Sequence, residues 1–318
     1  MATPPNHAGP AVQTFGLTRY YGSLVALNGL DLVVNKGDLF GFIGSNGAGK
    51  TTTLRILATF LEPTAGRAEI LGHDIVRSAD AVRRLIGYMP DFFGVYKDME
   101  VTEYLDFFGA CYRIPTAQRE KTVQDVLELV GLSEKRGSLI GALSRGMQQR
   151  LGLARVLIHD PQVLLLDEPA SGLDPRARIE VMAILLELQH MGKTIIISSH
   201  ILSELQNLCN RVAIIEKGKL IYTGEVQGVR DQFAVGRTFW IKTLGSEDKA
   251  IELLQGRCEV VQVDLLDGRL KVILRDHDTN PGCLAETLVM GGIKLVGLEE
   301  EELGLEEVFL RVTRGETQ

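Results

Sequence analysis

From Val12 to Gly224 the chain alternates between short apolar runs rich in β-branched residues and stretches with an apolar residue every three or four positions. Continuous or period-two apolar runs bury as strands, whereas a period near 3.6 builds one apolar face of a helix. Strands are therefore predicted at Asp38–Ile43, Ala68–Leu71, Ile86–Met89, Val163–Asp167, Thr194–Ser199 and Arg211–Glu216. Between Asp91 and Ile158 the pattern turns mostly helical, with amphipathic stretches around Val101–Tyr112, Ala117–Val130 and Arg145–Ile158. The whole reads as an α/β domain over 12–229 carrying a helical subdomain at about 91–158.

From about Gly236 a second alternation begins. Thr238–Leu244 is expected as strand, Asp248–Leu254 as helix, Glu259–Leu265 and Leu270–Leu274 as strands, Leu284–Met290 as helix and Lys294–Leu298 as strand, with a last helix at Leu305–Val312. A βαββαβ order predicts a small α+β domain of ferredoxin-like type over 236–318. Its acid run, Glu299 to Glu302, reads as a solvated, charge-repelling edge. Pro4, Pro5, Gly9 and Pro10 make residues 1–11 a loose tail.

Composition narrows the function classes. A length of 318 residues suggests two domains at roughly 150 residues each. With 45% hydrophobic and 24% charged residues the chain is neither disordered, collagenous nor a coiled coil. A net charge of −7 argues against a polyanion-binding surface as its main business. Cys111, Cys209, Cys258 and Cys283 lie far apart without a CxxC pair, which suits a reducing cytosol. The start has no basic and apolar leader, and no run of 18 apolar residues occurs, so the chain is expected neither to span nor to cross a membrane.

The first chemistry lies at Gly44-Ser45-Asn46-Gly47-Ala48-Gly49-Lys50-Thr51-Thr52, a complete GxxxxGK[ST] between a predicted strand and a helix start. Glycines let successive N–H groups converge on phosphate oxygens, and the helix adds its positive dipole end. Lys50 is expected to reach the β- and γ-phosphates, and the Thr51 hydroxyl to ligate Mg²⁺. This motif gives nucleotide binding and little more, since kinases, GTPases, helicases and transporters share it. A second signal is the apolar strand Val163–Asp167, which delivers Asp167 and then Glu168 at its carboxyl end. Asp167 suits the Mg²⁺ shell. Glu168, pointing to the other side, is placed to orient or deprotonate an attacking water.

These residues, with Leu143-Ser144-Arg145-Gly146-Met147-Gln148-Gln149-Arg150 just before the Asp167 strand, resemble the ATP-binding cassette family over most of 12–224. The resemblance implies a P-loop NTPase cassette with an antiparallel β subdomain and a helical subdomain. It also implies an ATPase that binds ATP and Mg²⁺ and works as a head-to-tail homodimer or heterodimer. In such a dimer Ser144 and Gly146 of one copy close on the γ-phosphate held by the other. Tyr21 resembles the aromatic that stacks on adenine, with Tyr20 the neighbouring candidate and core packing of either ring the plain alternative. Ser171 to Asp174 resembles the loop that crosses the dimer seam, and His200 the switch histidine at the γ-phosphate. Asp91 stands where the family most often has a glutamine that touches Mg²⁺ or the lytic water.

The signature sequence and the ending Gly304 to Leu310 are similar to those of exporter-type cassettes. Aromatic residues crowd Tyr88 to Tyr112. They are either core or, for Phe92, Phe93 and Tyr96, the lining of a groove for a helix of a membrane subunit. The resemblance thus implies an ATPase subunit powering integral membrane transporter subunits on separate chains, peripheral on the cytoplasmic face of the membrane, with no nucleic acid. The rival is a soluble cassette ATPase acting on nucleic acid or ribosomes, and a P-loop kinase is a third reading.

Overall fold

The computed structural model describes residues 7–92, 94–201, 205–206, 208–226, 228–229, 237–275 and 280–301. It divides into two compact units, Met1–Val226 and Gln227–Gln318.

The first unit is organised by a six-stranded sheet. Its strands are β3 (Leu39–Ile43), β6 (Ile86–Met89), β7 (Val163–Asp167), β8 (Thr194–Ser199), β9 (Arg211–Glu216) and β10 (Lys219–Glu225), in the order β10-β9-β3-β8-β7-β6. Neighbours from β9 to β6 are parallel, and only the edge strand β10 is antiparallel. Every residue of β3, β7 and β8 is buried, as uninterrupted apolar runs require when a sheet is covered on both faces.

A second sheet, of order β2-β1-β4-β5, is antiparallel: β1 (His7–Tyr21), β2 (Leu24–Lys36), β4 (Ala65–Ile70) and β5 (His73–Asp74). Helix α1 (Lys50–Leu57) shares a core with both sheets. Its Leu54, Ile56 and Leu57 pack among Phe40, Phe42 and Leu165 of the parallel sheet and Leu17, Leu30 and Ile70 of the antiparallel one. The long hairpin β1–β2 is absent from the periodicity reading for a physical reason. The register between the two strands shifts at five places, so buried residues keep one parity only over short stretches: Leu30, Leu32 and Val34 alternate on β2, but Leu27 is out of phase with them. Strand β1 also reaches back to His7, further than a tail ending near residue 11 allows.

Helices α2 (Ala79–Leu85), α3 (Val101–Cys111), α4 (Thr116–Leu129), α5 (Arg145–Leu157) and α6 (Pro175–His190) complete the first unit. Within the helical insert Tyr104 is fully buried, its ring edge-on to Phe108 with centroids 4.9 Å apart. Arg150 joins three helices, donating to the carbonyl of Val130 after α4 at 3.0 Å and pairing with Glu180 of α6 at 3.4 Å. The helix boundaries agree with the sequence reading to within a residue, because here the 3.6-residue period runs unbroken.

The second unit holds β11 (Arg237–Thr243), α7 (Glu247–Gln255), β12 (Val260–Leu266), β13 (Arg269–Leu274), α8 (Gly282–Met290) and β14 (Leu295–Glu301). The strands are antiparallel in the order β12-β13-β11-β14, the split βαβ arrangement expected of a ferredoxin-like domain. It has its own core of Phe239, Ile241, Leu254, Val272, Leu284 and Leu288. The acid run is not a bare repelling edge. Glu300 receives both a 2.6 Å Nε and a 2.6 Å Nη2 bond from Arg237, Glu301 pairs with Lys271 at 3.1 Å and Glu299 with Arg269 at 3.8 Å. Sheet order opposes each acid to a cation from another strand, a relation invisible along the chain. Glu302, the helix expected at Leu305–Val312 and the ending Gly304 to Leu310 lie outside the described residues.

Because each unit encloses a separate core, a chain ending at Val229 is expected to stay folded and to bind ATP within about threefold of the full chain. Circular dichroism and binding of a fluorescent ATP analogue check this. A folded truncation that no longer binds nucleotide would place part of the site in the second unit.

Candidate functional site

Ile43, at the buried end of β3, feeds the chain into the loop Gly44–Gly49 and then α1. The loop is pressed between two carbonyl oxygens. A Cβ at Gly44 would lie 2.5 Å from the Ile215 carbonyl, and one at Gly49 2.7 Å from that of Ala26. Gly49 also has φ +111° and Gly47 φ +81°, so glycine is needed both for space and for a left-handed backbone. The loop is pinned where the Gly218 N–H donates to the Ala48 carbonyl at 2.9 Å and the Ala48 N–H to that of Ser45 at 3.1 Å. Ser45, Asn46 and Gly47 remain exposed, and Thr51 and Thr52 are half-buried in the first turn of α1. That turn has no acidic side chain, which leaves the positive end of the helix uncompensated by its own residues.

Lys50 points back under this loop, its Nζ donating to the carbonyls of Gly44 at 2.7 Å and Ser45 at 3.3 Å. The side chain is only 6% exposed. Burial draws the ammonium below the usual lysine range, and the carboxylates of Glu168 and Asp167 oppose that loss of charge.

Asp167 ends β7 almost fully buried, and its Oδ1 accepts a 2.6 Å hydrogen bond from the hydroxyl of Ser198, its register partner on β8. Glu168 then takes a left-handed φ of +50°. Its N–H donates to Ser198 Oγ at 3.0 Å and to the Ser198 carbonyl at 3.2 Å. Strand alternation has ended, and the Glu168 carboxylate swings over Lys50, Oε1 lying 3.6 Å from Nζ. Its Oε2 lies 2.9 Å from His200 Nδ1, which carries the hydrogen when Glu168 is ionised. The structure thus brings Lys50, Asp167, Glu168 and His200 together from three segments, the start of α1, the end of β7 and the end of β8.

Two further groups meet each other elsewhere. Ser144 caps α5 by accepting from the Met147 N–H at 3.3 Å, and Asp174 caps α6 by accepting from the N–H groups of Arg176 and Ala177 at 3.0 Å each. Gly146 is pressed on Ala177, and Arg145 donates to the Ser171 carbonyl at 3.3 Å. Among the described residues no hydrogen bond or ion pair joins Ser144–Gly146 or Asp174 to the loop Gly44–Thr51.

Tyr21 is exposed at the end of the β1–β2 hairpin with the Arg19 guanidinium 4.9 Å from its ring centroid, and Tyr20 is equally exposed, so neither is a core ring. Asp91 is exposed just beyond β6. Burial raises the Tyr88 phenol, with Asp167 and, more weakly, Asp91 adding to the shift and Arg55 opposing it. Phe92 and Tyr96 are exposed, and Phe93 lies outside the described residues.

Sequence reasoning passed over Ser198, whose hydroxyl ties Asp167 to Glu168, and Gln149, whose buried amide donates to the Pro169 carbonyl at 2.6 Å. A hydroxyl ending an otherwise apolar strand beside His200 was the available signal for the first.

The donor set fits a polyphosphate: a glycine cradle, a helix start and a buried ammonium. Among the described residues no three acidic, imidazole or thiol side chains gather to hold a metal by themselves. Asp167 with the Thr51 hydroxyl suits Mg²⁺ in the way that ion is usually held, by one or two side chains plus substrate phosphates.

The sequence profile of the ABC transporter family matches residues 27–171. The bacitracin transport ATP-binding protein BcrA of Bacillus licheniformis is 34% identical over 308 residues, covering 96% of this chain and 98% of the relative. The daunorubicin resistance ATP-binding protein DrrA3 of Streptomyces coeruleorubidus is 33% identical, covering 96% of each. Among solved structures, the ADP conformation of an ATP-binding cassette of an ABC transporter is similar over 70% of this chain and 96% of its own, with TM-score 0.65 and 26% identity.

Three outcomes are expected from the geometry. Glu168→Gln should retain ATP affinity while lowering turnover by about 10²–10⁴-fold, the usual range for loss of a general base. Lys50→Ala should weaken binding itself, because it removes charge from the cradle; turnover assays paired with equilibrium binding separate the two. Asp91→Gln should keep more activity and a lower Mg²⁺ requirement than Asp91→Ala, since only Ala presents no oxygen. Equal Mg²⁺ titrations of all three forms would show an idle side chain.

Proposed function

Since the chain belongs to the ABC transporter family and is an ATP-binding and ATP-hydrolysing subunit, we propose that it powers an exporter by closing head to tail on a second cassette around two ATP molecules. The observation that carries the hydrolytic part is the convergence of Lys50, Asp167, Glu168 and His200 beside the glycine loop. ATP supplies the phosphoryl group, with Mg²⁺ neutralising its charge. Gly44–Thr52 bind and orient the phosphates, and Lys50 exchanges its two carbonyl partners for phosphate oxygens. Asp167 and the Thr51 hydroxyl would hold the ion, and Asp91 would add an oxygen on the metal side. Glu168 takes the proton of the attacking water, and His200, bonded to the same carboxylate, fixes its direction. Tyr21 stacks on the adenine.

The separation of Ser144–Gly146 and Asp174 from the loop within one chain supports the two-copy arrangement. A capped helix start with Gly146 behind it is an anion site that has no phosphate loop of its own. In the dimer each ATP lies between Gly44–Thr51 of one copy and Ser144–Gly146 of the other, with Asp174 at the seam.

Export and the membrane partner are read from the relatives, whose names concern bacitracin transport, daunorubicin resistance and, in Ralstonia nicotianae, Nod factor export. No helix among the described residues is long and apolar enough to cross a membrane, so the translocation path is assigned to separate integral membrane subunits. The chain sits on the cytoplasmic face, where ATP is available. Exposed Phe92 and Tyr96 beside Asp91 make a surface for a short helix of that partner. The second unit assists dimer contact or regulation rather than chemistry.

Light scattering of Glu168→Gln tests the two-copy arrangement. A dimer is expected with ATP and a monomer with ADP, because only the γ-phosphate reaches both chains. A monomer under both conditions would refute the head-to-tail arrangement.

A further inference from the structure

We propose that Ser198 is a positioning residue for ATP hydrolysis, a single buried hydroxyl that sets the metal-side carboxylate of Asp167 and the water-side carboxylate of Glu168 together. The inference rests on the roles assigned to those two acids above.

A serine hydroxyl has one hydrogen to donate and lone pairs to accept with. Here both are spent on the site. The hydrogen goes to Asp167 Oδ1 at 2.6 Å, in the short range of a charge-assisted bond, and the oxygen accepts from the Glu168 N–H at 3.0 Å. Ser198 is wholly shielded from solvent and Asp167 2% exposed, so water has little access to replace the hydroxyl. Without it, a buried carboxylate oxygen loses its hydrogen bond, and the Asp167 side chain loses the contact that fixes its orientation.

The second half of the device is conformational. A non-glycine residue at φ +50° is strained unless its surroundings hold it there. The Glu168 N–H is held by Ser198, which offers it both the hydroxyl and, at 3.2 Å, the main-chain carbonyl, while the Glu168 carbonyl accepts from the Ser171 N–H at 3.1 Å. That turn sends the Glu168 carboxylate to Lys50 on one side and His200 on the other. The adjacent Ser199 does none of this, because its hydroxyl forms a local turn with the Ile201 backbone. His200 lies two residues beyond Ser198, so the end of β8 carries both the hydroxyl that orients the acids and the imidazole that touches Glu168.

The test compares Ser198→Ala and Ser198→Thr in the full chain by basal ATP hydrolysis, Mg²⁺ titration and binding of a fluorescent ATP analogue without metal. Removing a hydrogen bond to a charged group is expected to lower kcat by about ten- to a hundredfold in Ser198→Ala. The Mg²⁺ needed for half-maximal rate should rise several-fold, while metal-free nucleotide affinity stays within about twofold. Threonine, which restores the hydroxyl, should recover most of the rate. In a Glu168→Gln background the alanine change should lose the part of its rate effect that runs through Glu168 and keep the rise in Mg²⁺ requirement, which runs through Asp167. A Ser198→Ala kcat within about twofold of the parent, a loss that follows nucleotide affinity alone, or a threonine form no better than alanine would each overturn the proposal. If the alanine form does not fold, Ser198→Cys, close in size and a weak donor, makes the same comparison. Failure of the underlying roles is a separate result, seen when Glu168→Gln itself turns over at the parental rate.

Discussion

An ammonium kept charged where water scarcely reaches is the constraint on which the rest of the first unit depends. Lys50 is buried beneath a glycine loop, and burial alone favours its neutral form. Two main-chain carbonyls and the carboxylates of Asp167 and Glu168 counter that tendency. Each compensating group has a structural requirement. The carbonyls need a loop folded tightly enough to aim oxygens inward, which Gly44 and Gly49 permit against Ile215 and Ala26. The carboxylates need β7 to end near the start of α1, and this follows from a sheet in which only β8 separates β3 from β7.

That sheet order has a second consequence. With β8 between the loop strand and the acidic strand, its terminal residues reach both sides. Ser198 bonds Asp167 and the Glu168 backbone, and His200 bonds the Glu168 carboxylate, whose other oxygen faces Lys50. The five residues form one connected network, so moving any strand of the three alters the environment of the lysine. Charge balance recurs on a smaller scale in the second unit, where Arg237, Lys271 and Arg269 neutralise consecutive glutamates of β14.

The sequence by itself determines the elements whose information is local. GxxxxGK[ST] identifies the loop because φ and space demand glycine at fixed positions, and Ser144 and Asp174 announce helix starts because a cap bonds within three residues. Helices α3, α4 and α5 and the buried parallel strands are equally legible, since each repeats one period without interruption. Where the period is broken by bulges, as along β1 and β2, local reading fails. Only the tertiary structure decided the rest. It set residue 167 beside 198, turned Glu168 out of strand alternation onto Lys50 and His200, and matched Glu299 to Glu301 with cations from other strands. These are pairings between segments distant in the chain, and they follow from strand order and register rather than from any neighbouring residues.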